Sequence, residues 1–99
     1  MDAINQMLDA MGSTPDQVAA ALRRAHVRGM RDSPSLMNPV VRHLNRTLNI
    51  GGRLEVGAGG TLLRLQRDGK VKEVPLPLPV QAFLDCFHRG LYPDLEAAG

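Results

Sequence analysis

Between Gln17 and Arg53 the chain carries seven arginines and a single acid, Asp32. The remainder is balanced to slightly acidic, so the net charge of +2 conceals a local excess of +6. Guanidinium groups at that density can neutralise phosphates or carboxylates, which directs the N-terminal half toward an anionic partner. Arg23, Arg24, Arg28, Arg31, Arg42 and Arg46 form the candidate anion or nucleic-acid surface. The same residues suit a plainer role, as solvated helix faces whose charges complement helix dipoles by ~0.3 to 1 kcal/mol each.

Other reactive side chains lack the spacing that chemistry needs. Cys86 and His88 are two apart, so on a helix they point about 160° from each other, and His26 and His43 sit on other elements; a half-buried inert thiol explains Cys86 better than a zinc ligand. Asn38-Pro39 opens a helix whose N–H groups could hold an anion beside Ser33, Ser35 and Arg42, but a plain cap accounts for the pair. Gly57-Ala58-Gly59-Gly60 precedes no helix with a Lys-Ser or Lys-Thr pair and is a hairpin connection rather than a phosphate loop. Pro75, Pro77 and Pro79 alternate, missing the P-x-x-P spacing that aromatic grooves read. The serines, histidines and acids are scattered without pairing nucleophile, base and orienter. No catalytic residue, cofactor or metal ligand is assigned.

Composition sets further bounds. Ninety-nine residues make one domain, which buries roughly 60 to 70% of its unfolded surface. With 43% hydrophobic and 22% charged residues the chain is globular rather than disordered. Only Phe83, Phe87 and Tyr92 are aromatic, so the core is Leu, Val, Ala and Met, and single-strand binding by stacked rings is disfavoured. One cysteine excludes an internal disulfide and suits a reducing compartment. The start, Met1 to Met11, has neither a basic leader nor a long apolar run, so a cytoplasmic location without membrane contact is expected.

The elements that would position the arginines are legible. Ile4, Met7, Leu8 and Met11 form the stripe of a short helix ended by Gly12. Thr14-Pro15-Asp16-Gln17 supplies an N-cap, an N1 proline and a capping-box glutamine for a second helix. Val18, Ala21, Leu22 and Ala25 face its core side; it runs to about Val27, and Gly29 is placed to close it in a left-handed cap. After a polar connector, Met30 to Met37, Asn38-Pro39 caps a third helix that buries Val40, Val41, Leu44 and Leu48. Arg42, Asn45 and Arg46 point outward, with Arg42 and Arg46 one turn apart.

From Arg53 the period changes to two, and Asp68-Gly69 marks a hairpin. A two-residue turn sets Leu63 opposite Val74 and Arg64 opposite Glu73, and it leaves Leu65 beside Lys72, an uneasy pair that allows a bulge or a shifted register. Pro75 ends the strand pattern. Pro79 is then placed as N1 of a last helix, with the stripe Val80, Phe83, Leu84, Phe87 and Leu91 and with Gly90 as its C-cap. Residues 1–13 are expected as a loosely attached helix and 96–99 as a frayed tail.

Val74-Pro75-Leu76-Pro77, Val80, Phe83, Phe87, Gly90 and Tyr92-Pro93-Asp94-Leu95 resemble the ending of a group of short bacterial proteins reading roughly V-x-L-P-x-x-V-x-x-F-x-x-x-F-x-x-G-x-Y-P-x-L. Val27-Arg28-Gly29 and the proline-led third helix are also similar to that group. This chain departs from it in having Asn38-Pro39 and His43-Leu44 where the group often has Cys-Pro and Tyr-Leu. No activity is assigned to the group, so the resemblance implies a fold.

The expectation is an α+β domain: three N-terminal helices, a small antiparallel sheet of two or three strands with its hairpin at Asp68-Gly69, and a C-terminal helix. Its expected role is that of a non-enzymatic interaction module. An unidentified protein partner or self-association would be engaged through a sheet edge or the arginine-rich helices. The alternative is nucleic-acid binding in the manner of a winged helix, although the connector from Gly29 to Asn38 exceeds the roughly 3 to 4 residue turn of that motif. A small enzyme with an unrecognised site comes third.

Overall fold

The computed structural model describes residues 2–30, 38–48, 51–57 and 60–96. Among these the chain runs α1 (Asp2–Ala10), α2 (Pro15–Arg24), α3 (Pro39–Thr47), β1 (Arg53–Val56), β2 (Leu62–Arg67), β3 (Lys70–Pro75), α4 (Leu78–His88) and a 3-10 turn at Pro93–Leu95. The architecture is α+β, with three helices before a three-stranded antiparallel meander and one after it.

The helix starts follow from their caps. Thr14 Oγ1 accepts from the Gln17 amide at 3.1 Å, and Gln17 Oε1 reaches back to the Ser13 amide at 2.6 Å, one residue before the usual capping-box target. Asn38 Oδ1 accepts from the Val41 amide at 2.9 Å, and Asn38 itself is fully buried. Its cap is thus part of the core, walled by Pro39, Val40 and Val41.

The end of α2 differs from expectation. The left-handed residue is His26, at φ 56°, rather than Gly29. The His26 amide bonds the Arg23 carbonyl and the Val27 amide bonds the Leu22 carbonyl, both at 3.1 Å, closing the helix three residues early while Val27 and Leu22 are buried together. Gly29 serves close approach instead: a Cβ there would lie 2.4 Å from the Pro39 nitrogen. Its amide bonds the Leu95 carbonyl at 2.8 Å, and Gly29 bridges Glu96, so this part of the expected frayed tail is held.

The hairpin is as read. Asp68 (φ 55°) and Gly69 (φ 74°) are both left-handed, the signature of a type I′ turn, and Leu63 faces Val74, Arg64 faces Glu73 and Leu65 faces Lys72 in continuous register. The uneasy last pair needs no bulge. Residues 70–73 are exposed and burial begins at Val74, so the hairpin runs past the core and Lys72 stands in solvent.

One apolar cluster joins all the layers. Helix α4 packs on α2, and α3 packs on β1. Phe83 and Phe87 are fully buried with ring centroids 6.0 Å apart. Ile4, Leu8 and Met11 of the first segment are buried in the same cluster. Two further details are corrected. Helix α4 starts at Leu78 with Pro77 as its cap, because the Pro77 carbonyl already accepts from the Val80 and Gln81 amides. Leu91 is 61% exposed because Gly90 (φ 82°) has turned the chain away, and Leu95 enters the core.

Candidate functional site

Five of the six candidate arginines are described, and all five lie on α2, α3 or the turn that follows α2. Arg31 lies outside the described residues. Arg23, Arg24, Arg28 and Arg46 are exposed and Arg42 is half-buried. Their partners divide them into two groups.

Arg23 and Arg46 hold the chain together. Arg23 donates from Nε to Asp94 Oδ2 at 2.5 Å and from Nη2 to Oδ1 at 3.2 Å, a two-pronged bond from α2 to the 3-10 turn. The guanidinium also lies 5.8 Å from the centre of the Tyr92 ring. Tyr92 in turn donates its hydroxyl to Asp16 Oδ1 at 2.8 Å, fastening the same C-terminal segment to the start of α2. Arg46 donates from Nη1 to the His26 carbonyl at 3.2 Å, linking the last turn of α3 to the end of α2.

Arg24, Arg28 and Arg42 make no ion pair with any described residue. Arg28 lines a shallow concavity at the end of α2 with Arg23, His26, Val27, Asp94 and Leu95. Two guanidinium groups, Arg23 and Arg28, and one carboxylate, Asp94, line it, and Arg46 bonds the carbonyl of His26, which also lines it.

The electrostatics follow from these contacts. The hydrogen bond from Arg23 holds Asp94 below the usual carboxylate range. His43 is held below its ordinary value first by burial and then by Arg46. Burial and the bond to Asp16 raise the Tyr92 hydroxyl to about 12.

The remaining candidates are accounted for locally. Asn38 is engaged by the Val41 amide, and the first residues of α3 are buried, so this helix start is a cap facing the core. Cys86 is half-buried, and His88 sits edge-on to Phe87 with centroids 5.5 Å apart. Among the described residues no group of three or more His, Cys, Asp or Glu is placed to hold a metal. No described helix is long and apolar enough to cross a membrane.

Two features escaped sequence reasoning. Asp94 is the counter-ion of Arg23 although 71 positions away, a pairing without local signal. A second depression, lined by Leu65, Arg67, Asp68, Lys70 and Lys72, lies at the tip of the hairpin. Its signal was present as the alternation of Lys70 and Lys72 on one strand face.

Comparison with protein-family models, curated proteins and solved structures finds no match for this chain.

Proposed function

We propose that this protein is a non-enzymatic interaction module, of the cytoplasm, that takes an anionic macromolecule on the arginine surface at the ends of α2 and α3. The observation that carries this reading is the division of the arginines. Arg23 and Arg46 are used within the fold, whereas Arg24, Arg28 and Arg42 project without an ion pair among the described residues. Exposed guanidinium groups without an ion pair make a field that attracts anions from solution.

Of the sheet's two outer strands, β1 and β3, β3 is poorly suited to the other expected mode of docking, edge pairing. Strand β3 carries Lys70, Lys72 and Glu73 and ends at Pro75, which has no N–H; charges and a proline of this kind blunt edge pairing. The test is fluorescence anisotropy with labelled random duplex DNA and with labelled poly-glutamate at about 50 and about 200 mM salt. Binding to at least one polyanion, weakened by salt and by combined Arg24→Ala, Arg28→Ala and Arg42→Ala substitution, is expected. Unaltered binding in the triple variant would remove the helical surface from the account.

A further inference from the structure

The helix-facing side of the β2–β3 hairpin carries Leu63, Leu65 and Val74 over the core and continues toward the turn as Arg67, Lys70 and Lys72. Strand alternation places all six on one face. The last three, with Asp68, surround Leu65 to form the depression at the hairpin tip. Lys70 and Lys72 make no ion pair with a described residue. The strand acids lie on the opposite face, where Arg64 pairs with both Glu55 and Glu73 at 3.5 Å. Among the described residues the helix-facing tip therefore holds three cations, Arg67, Lys70 and Lys72, and one acid, Asp68.

The base of this tip lies beside the entry to β1, the strand that follows α3 in the chain. Strand β1 enters opposite Gln66, and Gly52 lies so close that a Cβ there would be 2.4 Å from the Gln66 carbonyl oxygen and 3.0 Å from Arg67 Cβ. Gly52 belongs to the segment leaving α3, whose last turn carries Arg46. Arg46 reaches His26, beside Arg28. Cations thus stand at the hairpin tip, in the last turn of α3 and at the end of α2.

We propose that the partner is double-stranded nucleic acid and that Lys70 and Lys72, with Arg67, form a second phosphate-contacting site; this rests on the reading of the helical surface given above. A duplex presents one charge per ~1.7 Å of its axis, so cations on three separate elements each meet a phosphate, which one short acidic peptide segment does not provide. The domain's longest extent is 36 Å, close to roughly one duplex turn. Single strands fit poorly. Phe83 and Phe87 are buried and Tyr92 is tied to Asp16, leaving no free aromatic platform for stacking. Contacts of this kind position a backbone and carry little base preference.

The experiment measures affinity for random duplex DNA against salt for the wild type, for Lys70→Ala with Lys72→Ala, and for the Arg24, Arg28, Arg42 triple variant, with poly-glutamate as a parallel probe and circular dichroism confirming the fold. Each lost phosphate contact lowers the log–log salt slope by about 0.9, so the lysine variant should lose about two units of slope. An unchanged slope in the lysine variant, with binding lost in the arginine variant, would overturn the hairpin site and leave the helical reading intact. The reverse pattern would support the hairpin and remove the helical reading. Binding to poly-glutamate without duplex binding would overturn the nucleic-acid inference alone, and binding to neither would overturn both.

Discussion

Arg46 Nη1 donates to the main-chain carbonyl of His26 at 3.2 Å, so an arginine on the outer face of α3 fixes the end of α2. An exposed charged donor on a carbonyl contributes on the order of 1 kcal/mol. Arg46→Ala should therefore lower the unfolding free energy by about that amount in urea titration, with Arg46→Lys recovering part of it. A midpoint that does not move would show that water replaces the guanidinium without cost.

His26 itself stands in the left-handed region at φ 56°, where an L side chain costs roughly 1 to 2 kcal/mol. His26→Gly should raise stability by about 1 kcal/mol, slightly offset by the greater freedom of glycine in the unfolded chain. Gly29→Ala should do the opposite. Its methyl would meet the Pro39 nitrogen at 2.4 Å and the Asn38 carbonyl carbon at 2.7 Å, overpacking that costs about 1 to 3 kcal/mol. Thermal melts that reverse this order would contradict the turn geometry.

The two side-chain caps should differ in weight. Thr14 is exposed, so its loss in Thr14→Ala is expected to cost about 1 kcal/mol. Asn38 is fully buried, and Asn38→Ala leaves the Val41 amide without an acceptor and a gap in the core, for about 2 kcal/mol or more. Equal costs in denaturant titration would show that burial of the Asn38 cap adds nothing.

Stability should also fall at alkaline pH through Tyr92. Its folded pKa is raised to about 12 from the ordinary 10.0, mainly by burial and then by the bond to Asp16. The folded state binds the hydroxyl proton more tightly than the unfolded state. The stabilisation is therefore complete below about 10 and is lost as pH rises toward about 12. Melting temperatures measured across that window should decline in the wild type and decline less steeply in Tyr92→Phe. A parallel decline would assign the alkaline loss to other groups.

Local grammar made much of this legible in the sequence. The caps at Thr14 and Asn38, the Asp68-Gly69 turn and the register it sets each depend on a few adjacent residues, and each is found as read. Helix ends were less legible where tertiary contacts decide them. Gly29 is the residue type expected to close α2, yet Arg46 and the buried Val27 favour closure at His26, and Gly29 is required by the nearby Asn38-Pro39 backbone. The arginine surface was visible as charge density. Which arginines remain available was not, because that depends on Asp94 and the His26 carbonyl, which only folding brings near.

The pairing of Arg23 with Asp94 gives the sharpest test of that distinction. Their side chains are 46% and 53% exposed, so the bond contributes little to stability, under about 1 kcal/mol. Its larger effect is on the surface charge. Arg23 keeps Asp94 below its ordinary 3.8, so the carboxylate is ionised at neutral pH and cancels one guanidinium beside Arg28. Asp94→Asn should leave the melting temperature nearly unchanged while tightening duplex binding and steepening the salt slope by about 0.9, as one more cation becomes available. Arg23→Ala should do the opposite and weaken binding, because it leaves the ionised Asp94 carboxylate unbalanced beside Arg28. If instead Asp94→Asn leaves both affinity and salt slope at their wild-type values, the concavity lined by Arg23, Arg28 and Asp94 lies outside the ligand's footprint.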